Sequence, residues 1–145
     1  MPRKKKDLIP SEEYHQFIKG LEIVNVVLAS AELKRLALPQ DAKLGFDAEA
    51  SEIQTTRVQD GFGCQMPLQF KLYEESLDGQ KTVFAEIHVT FEAWYRAEVA
   101  PSDQMLEAFT QVNLRMNLWP YVREFVHSQT QLMGLPPLVI PHLKN

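Results

Sequence analysis

The stretch from Val83 to Arg96 limits the fold more than any other part of the chain. Val83, Ala85, Ile87, Val89, Phe91, Ala93 and Tyr95 fall on one face, and Phe84, Glu86, His88, Thr90, Glu92, Trp94 and Arg96 on the other. An apolar period of two belongs to an extended strand with one face on a core. Asp78-Gly79, just upstream, is a hairpin signal, because glycine takes the positive φ of a tight turn without steric cost. Across that turn Leu68, Phe70 and Leu72 alternate with Gln69, Lys71 and Tyr73, which makes an antiparallel partner. Pro67 lacks the N–H a ladder needs, so it is expected at a strand start or edge.

Leu21 to Leu33 is dense in β-branched residues and reads as another strand. Strict alternation puts Leu21, Ile23, Val27, Ala29, Ala31 and Leu33 on one face and Val24, Val26 and Leu28 on the other. Both faces are then apolar at mid-strand, more than a strand covered on one side needs. Pro39-Gln40-Asp41 reads as a turn, and Leu44, Phe46, Ala48 and Ala50 as a further strand. The apolar phase shifts after Ser51 to Ile53, which marks a bulge or a break. Gly61-Phe62-Gly63 is read as a connection.

The other elements are helical. Ser11 is placed to cap a short helix that Gly20 ends. Pro101-Ser102-Asp103 opens a helical third, in which Met105, Leu106, Phe109 and Val112 form one apolar stripe. Leu118, Tyr121, Val122, Phe125, Val126, Gln129, Leu132 and Met133 form a second. Pro120 is expected in the first turn of a second helix. Tyr121 and Phe125 are expected to be buried together, with Arg123 on the solvated side. Gly134 and the prolines after it end that helix, leaving Leu138-Val139-Ile140-Pro141 as an extended strap. The expected fold class is α+β: a four-stranded antiparallel sheet with a short helix and a long C-terminal helix packed on one face. The open face would carry Val24, Val26, Leu28, Phe84 and Trp94, and a partly apolar open face implies a partner or a client.

A chain of 145 residues fits a single domain over 1–145. With 45% hydrophobic and 23% charged residues it is not a mostly disordered protein. The net charge is −4, and Arg3, Lys4, Lys5 and Lys6 are all cationic, so the rest carries −8. Residues 1–10 are read as a solvated, disordered basic N-terminus, and no other stretch is basic enough for a nucleic-acid footprint. No apolar run nears the roughly 18 residues of a membrane span, and no signal-peptide core follows the basic start, so a cytoplasmic place is expected. Cys64 is the only cysteine, which excludes an internal disulfide.

Chemistry leaves little trace. His15, His88, His127 and His142 are scattered without metal-ligand spacing. Cys64 has no histidine beside it in sequence and reads as a buried structural thiol. Glu86, His88, Glu92 and Arg96 share a strand face and could suggest acid–base work, but such a row is more often a solvated or interface face. No glycine-rich phosphate loop is present. The expectation is a binding protein without cofactor or metal; the alternative from a different class is a small α+β enzyme or ligand-binding domain.

Leu118-Trp119-Pro120-Tyr121-Val122-Arg123-Glu124 resembles the hallmark of the bacterial export chaperone family SecB, in which a hydrophobic pair precedes Pro-Tyr-Ala-Arg-Glu. Met133-Gly134-Leu135-Pro136-Pro137-Leu138-Val139-Ile140-Pro141 is similar to that family's helix-ending glycine and proline-rich segment. The layout matches over about residues 17 to 141, with Pro120, Tyr121, Arg123 and Glu124 carrying the motif. Typical members have asparagine four residues before the proline, where this chain has Met116, and Asn117 follows. They also continue past the strap into a tail that contacts the translocase motor SecA, whereas this sequence stops at Asn145.

The resemblance implies an ATP-independent holdase, a homo-oligomer built as a dimer of dimers, with apolar grooves for unfolded or extended polypeptide. Val24, Val26, Leu28, Phe84, Trp94 and Trp119 are the candidates for the client-binding face. Glu22 and Glu86, with Glu32 and Glu92, are the candidates for an acidic motor contact. The client would be either general export cargo, with SecA as partner, or one dedicated protein such as an antitoxin in a toxin–antitoxin–chaperone system.

Overall fold

The computed structural model describes residues 11–40, 43–136 and 138–141. The expectations for the basic N-terminus, Asp41, Pro137 and His142 lie outside them. Helix α1 (Ser11–Lys19) leads into β1 (Leu21–Arg35), followed by β2 (Lys43–Ala50), β3 (Gln54–Val58), β4 (Gly61–Glu75) and β5 (Lys81–Ala97). Helices α2 (Asp103–Gln111) and α3 (Asn113–Leu132) complete the order. The α+β class holds, with five strands rather than four, all antiparallel in pairing.

The phase shift after Ser51 is a break between two strands, β2 and β3, that both pair with β4. That break explains Pro67, which sits mid-strand rather than at an edge. Ser51 N–H donates to the Pro67 carbonyl at 3.0 Å, so Pro67's nitrogen also points toward the β2–β3 side. Pairing there stops at Ala50↔Leu68 and resumes at Gln54↔Gln65, so no partner strand asks Pro67 for an N–H. Gly61-Phe62-Gly63 is likewise strand rather than connection. Gly61 is essential to it, since a Cβ there would lie 2.0 Å from the Tyr95 carbonyl oxygen.

The strand order β1-β5-β4-β2 puts β5 and β4 in the middle, where alternation is cleanest. Cys64, Met66, Leu68, Phe70 and Leu72 of β4, with Ala85, Ile87, Val89, Phe91, Ala93 and Tyr95 of β5, form the buried floor under the helices. Four aromatic rings lock one end: Phe62 stacks on Tyr95 at 5.2 Å and meets Phe109 edge-on at 5.5 Å, with Phe17 at 6.0 Å. Such pairs add to the area they bury.

Three expectations about faces need correction. In β1, bulges at Val24 and Ala29 shift the register against β5. Val26 and Leu28 then oppose Ala93 and Phe91, and so share the helix-side face rather than the open one. Phe84 is also not on the open face. It is the extra residue where Leu72↔Ala85 gives way to Tyr73↔Val83, and it is buried in the core.

The third correction concerns α3. Its buried positions are Leu114, Leu118, Val122, Val126 and Thr130, one residue every turn. Tyr121 is 49% exposed and Phe125 is half-buried, so the expected face was rotated by about one residue. Pro120 lies well inside α3 rather than in its first turn, because the helices separate earlier, at Val112 (φ −125°, ψ −64°). The bond lost there is the one to the Met116 carbonyl, and Met116 is exposed, so water can replace it. Ser102 caps α2 as expected, accepting from Met105 N–H at 3.2 Å. Gly134 ends α3 at φ 76°, with Leu135 N–H reaching back to the Thr130 carbonyl.

Candidate functional site

β1 is the feature of the fold that most needs a partner. Among the described residues it pairs with β5 alone, on one side, and none of its fifteen residues is fully buried. Ile23 (45% exposed) and Leu28 (47% exposed) open from its helix-side face, beside the half-buried Val26 and Leu33. Phe91, directly opposite Leu28, has the rings of Tyr121 and Phe125 at 6.5 and 6.0 Å. The result is an apolar trough with β1 as floor and the Tyr121–Phe125 side of α3 as wall. A long unpaired edge beside apolar side chains favours pairing with another extended chain. Leu36, Leu38 and Leu132 form a further set of exposed apolar residues, at the crossing after β1 and the end of α3.

The open face of the sheet is mainly polar. Trp94 is its main apolar surface, lying over Gly63, where an added Cβ would sit 2.5 Å from the indole. The indole Nε1 donates to Glu92 at 2.9 Å, and Gln65 donates to the other Glu92 oxygen at 2.6 Å. Those two bonds hold the Glu92 carboxyl below its ordinary range. Glu22 is bound to Arg96 at 2.9 Å, and Glu86 lies 3.8 Å from His88. The row Glu86–His88–Glu92–Arg96 is therefore a half-exposed strand face with local pairing.

The hallmark residues separate by job. Trp119 Nε1 donates to the Pro141 carbonyl and Arg123 Nε to the Ile140 carbonyl, each at 2.8 Å. Trp119, a client-face candidate, thus holds the C-terminal strap, and Arg123 is half-buried rather than solvated. Pro120 and Glu124 are exposed beside the strap, in a small hollow with His127 and Val139. Thr130, missed by the sequence analysis, is fully buried and accepts from Leu138 N–H at 3.0 Å. A threonine flanked by Gln129 and Gln131 gives no signal until its partner is known. Thr130→Val is expected to lower stability by about 1–3 kcal/mol in chemical denaturation, because it leaves the Leu138 amide unpaired. No change in the midpoint would show that the strap does not depend on this bond.

Asn117, the shifted asparagine of the motif, donates to Tyr95 Oη at 2.9 Å and ties α3 to the sheet. Burial pushes the Tyr95 hydroxyl and the Cys64 thiol each up to about 12. Cys64 therefore stays protonated at neutral pH and packs as a small apolar group. No helix among the described residues is long and apolar enough to cross a membrane.

No family model and no curated protein matches the chain. Among solved structures it is similar to a SecB-like chaperone of Mycobacterium tuberculosis, in complex with a ChAD peptide from the HigA1 antitoxin. The two share 21% identity, with 88% of this chain and 94% of the other covered, at a TM-score of 0.77. The fold is SecB-like. A Streptococcus agalactiae protein of unknown function aligns at 10% identity and a TM-score of 0.42, covering 83% of this chain and 96% of that one.

Proposed function

We propose that the chain is an ATP-independent chaperone that holds unfolded or extended polypeptide, acting in the cytoplasm as a homo-oligomer, a dimer of dimers. The observation that carries this reading is the pairing of a SecB-like fold with a fifteen-residue edge strand, unpaired on one side and open to an apolar trough. Client affinity would come from apolar burial at about 25 cal/mol per Å2, which selects for length and apolarity more than for sequence. Catalysis has little support. Cys64 is buried and protonated, and the strand-face acids are bonded to neighbours.

A dedicated client, such as an antitoxin, is favoured over general export by two observations. The similar Mycobacterium tuberculosis chaperone was solved with an antitoxin peptide. In addition, the acids available for a SecA contact lie beside cations or donors: Glu22 on Arg96, Glu32 4.0 Å from Lys34, Glu86 by His88, and Glu92 under Trp94 and Gln65. Their steering of a basic motor surface would be weak and salt-sensitive.

The test is suppression of aggregation of a chemically unfolded client by substoichiometric chaperone, with and without ATP. Suppression that nucleotide does not alter is expected. No suppression at several-fold excess, joined to protection of one co-expressed antitoxin from proteolysis, would restrict the protein to a dedicated role. Failure of both would reject the chaperone reading.

A further inference from the structure

The C-terminal strap shows what one side of α3 holds, because its occupant is in place. Trp119, Arg123 and Thr130 stand at i, i+4 and i+11, which is a single row along the helix. The row flanks the buried stripe of Leu118, Val122 and Val126 on the side away from Tyr121 and Phe125, so it is separate from the apolar trough. Leu138 N–H donates to Thr130 Oγ1 at 3.0 Å, Arg123 Nε to the Ile140 carbonyl and Trp119 Nε1 to the Pro141 carbonyl, each at 2.8 Å. Residues 138–141 thus run back along eleven positions of α3, which only near-extended chain can do, and they lie outside every strand and helix. All three bonds are to main-chain groups, which carry no sequence information. Of the four side chains only Ile140 is fully buried, at 1% exposed, whereas Val139 is 65% exposed. A hollow of about 230 Å3 stays open beside Val139 and Ile140, bordered by Pro120, Glu124 and His127, so the strap does not fill its seat.

We propose that this row of α3 is a second seat for extended polypeptide, with the strap as its resident occupant, and that a client segment carrying a large apolar anchor displaces the strap. The resident sets the chemistry of the competitor: extended backbone that bonds to Trp119, Arg123 and Thr130, and one apolar side chain in the place of Ile140. Lifting the strap breaks no sheet ladder, since it belongs to none. Leu135 stays behind, buried and with its N–H on the Thr130 carbonyl, so the stop of α3 is kept. The groups uncovered are an indole N–H, a guanidinium, a hydroxyl and an apolar hollow, all of which another extended chain satisfies again. Tethering holds the strap at high local concentration, so weak segments are refused and strongly apolar ones prevail. The inference deepens the chaperone reading, and rests on it for the nature of the competitor.

The test on the unaltered full chain is hydrogen exchange at the Leu138 amide, which is protected while the strap is seated. Saturation with a reduced and alkylated, permanently unfolded protein is expected to speed that exchange about tenfold, with amides of β4 and β5 unchanged. In the full chain, Ile140→Asp should unseat the strap. That variant should then capture a labelled Leu-Val-Ile-Pro peptide about tenfold more tightly than the parent, with circular dichroism showing it folded. Ile140→Ala serves the same comparison if the aspartate variant does not fold. Adding Arg123→Met, which has no donor, should reverse the gain. Exchange at Leu138 that the unfolded protein leaves unchanged would overturn the proposal, as would an Ile140 variant that captures the peptide no better than the parent. Aggregation suppression measured on the same samples separates the two readings. A protein that holds unfolded clients while the strap stays seated refutes only the second seat. One whose freed seat captures the peptide, but which holds no client, refutes only the holdase.

Discussion

Phe62→Ala is expected to lower the unfolding free energy by about 3–5 kcal/mol. Phe62 is fully buried, and three rings meet on it: Tyr95 in a stack, Phe109 edge-on and Phe17 tilted. These rings come from α1, β5 and α2, so the cavity left by truncation would loosen three elements at once. The site cannot collapse easily, because Gly61 is already in close contact with the Tyr95 backbone. Tyr121→Ala, by contrast, should cost far less, since half of that side chain is already exposed. The comparison is read from denaturant midpoints of the two variants. Similar losses for both would mean that Tyr121 is covered in the assembled protein.

The largest expected functional effect comes from charging the edge strand. Ile23→Asp with Leu28→Asp should leave the stability of the single chain within about 1 kcal/mol, because both positions are already in contact with water. If β1 pairs with a second copy, the same change places unpaired carboxylates in an apolar interface. Self-association should then weaken by about a hundredfold or more. Light scattering coupled to size exclusion should show the parent at a multiple of 16.7 kDa and the variant moving toward 16.7 kDa. Aggregation suppression should fall with it, if extended clients use the same trough. A parent that runs as a 16.7 kDa monomer would remove the dimer of dimers. A variant that assembles normally would move the interface away from β1.

The central strands were legible because both flanks of each are paired and one face is covered. β4 and β5 must keep strict alternation where they pack on helices, and a one-residue slip would bury Glu86, His88 or Gln69. Caps and stops were legible for a local reason. Ser102, Gly79 and Gly134 answer requirements set within four or five residues. The SecB-like layout of strands followed by helices could be read from Leu118–Glu124 together with the strap, and the solved relative shares that fold.

The open edges were not legible. Along β1, bulges at Val24 and Ala29 exchange the faces of Val26, Leu28 and Val27, and an edge strand admits such insertions because its outer side has no register to keep. Phe84 is a different case: it lies on the central strand β5 and is turned into the core at the one irregular point of the β4–β5 ladder, a register shift that alternation does not reveal. On α3, Tyr121 and Phe125 have the spacing of core residues, yet the axial rotation that buries Val122 and Val126 instead is set by how the helix meets Phe91 and Tyr95. The roles of Trp119, Arg123 and Thr130 depended on a strap that returns to α3 from eight or more residues away. The sequence by itself determined the alternating run of β5 and of Leu68–Leu72 in β4, the cap at Ser102, the turn at Gly79 and the stop at Gly134, and that the sheet has a covered face, since those follow from period and local backbone chemistry. Tertiary structure alone decided which residues of the edge strand and the long helix face outward, because rotation and register at an open edge are fixed only by what packs beside them.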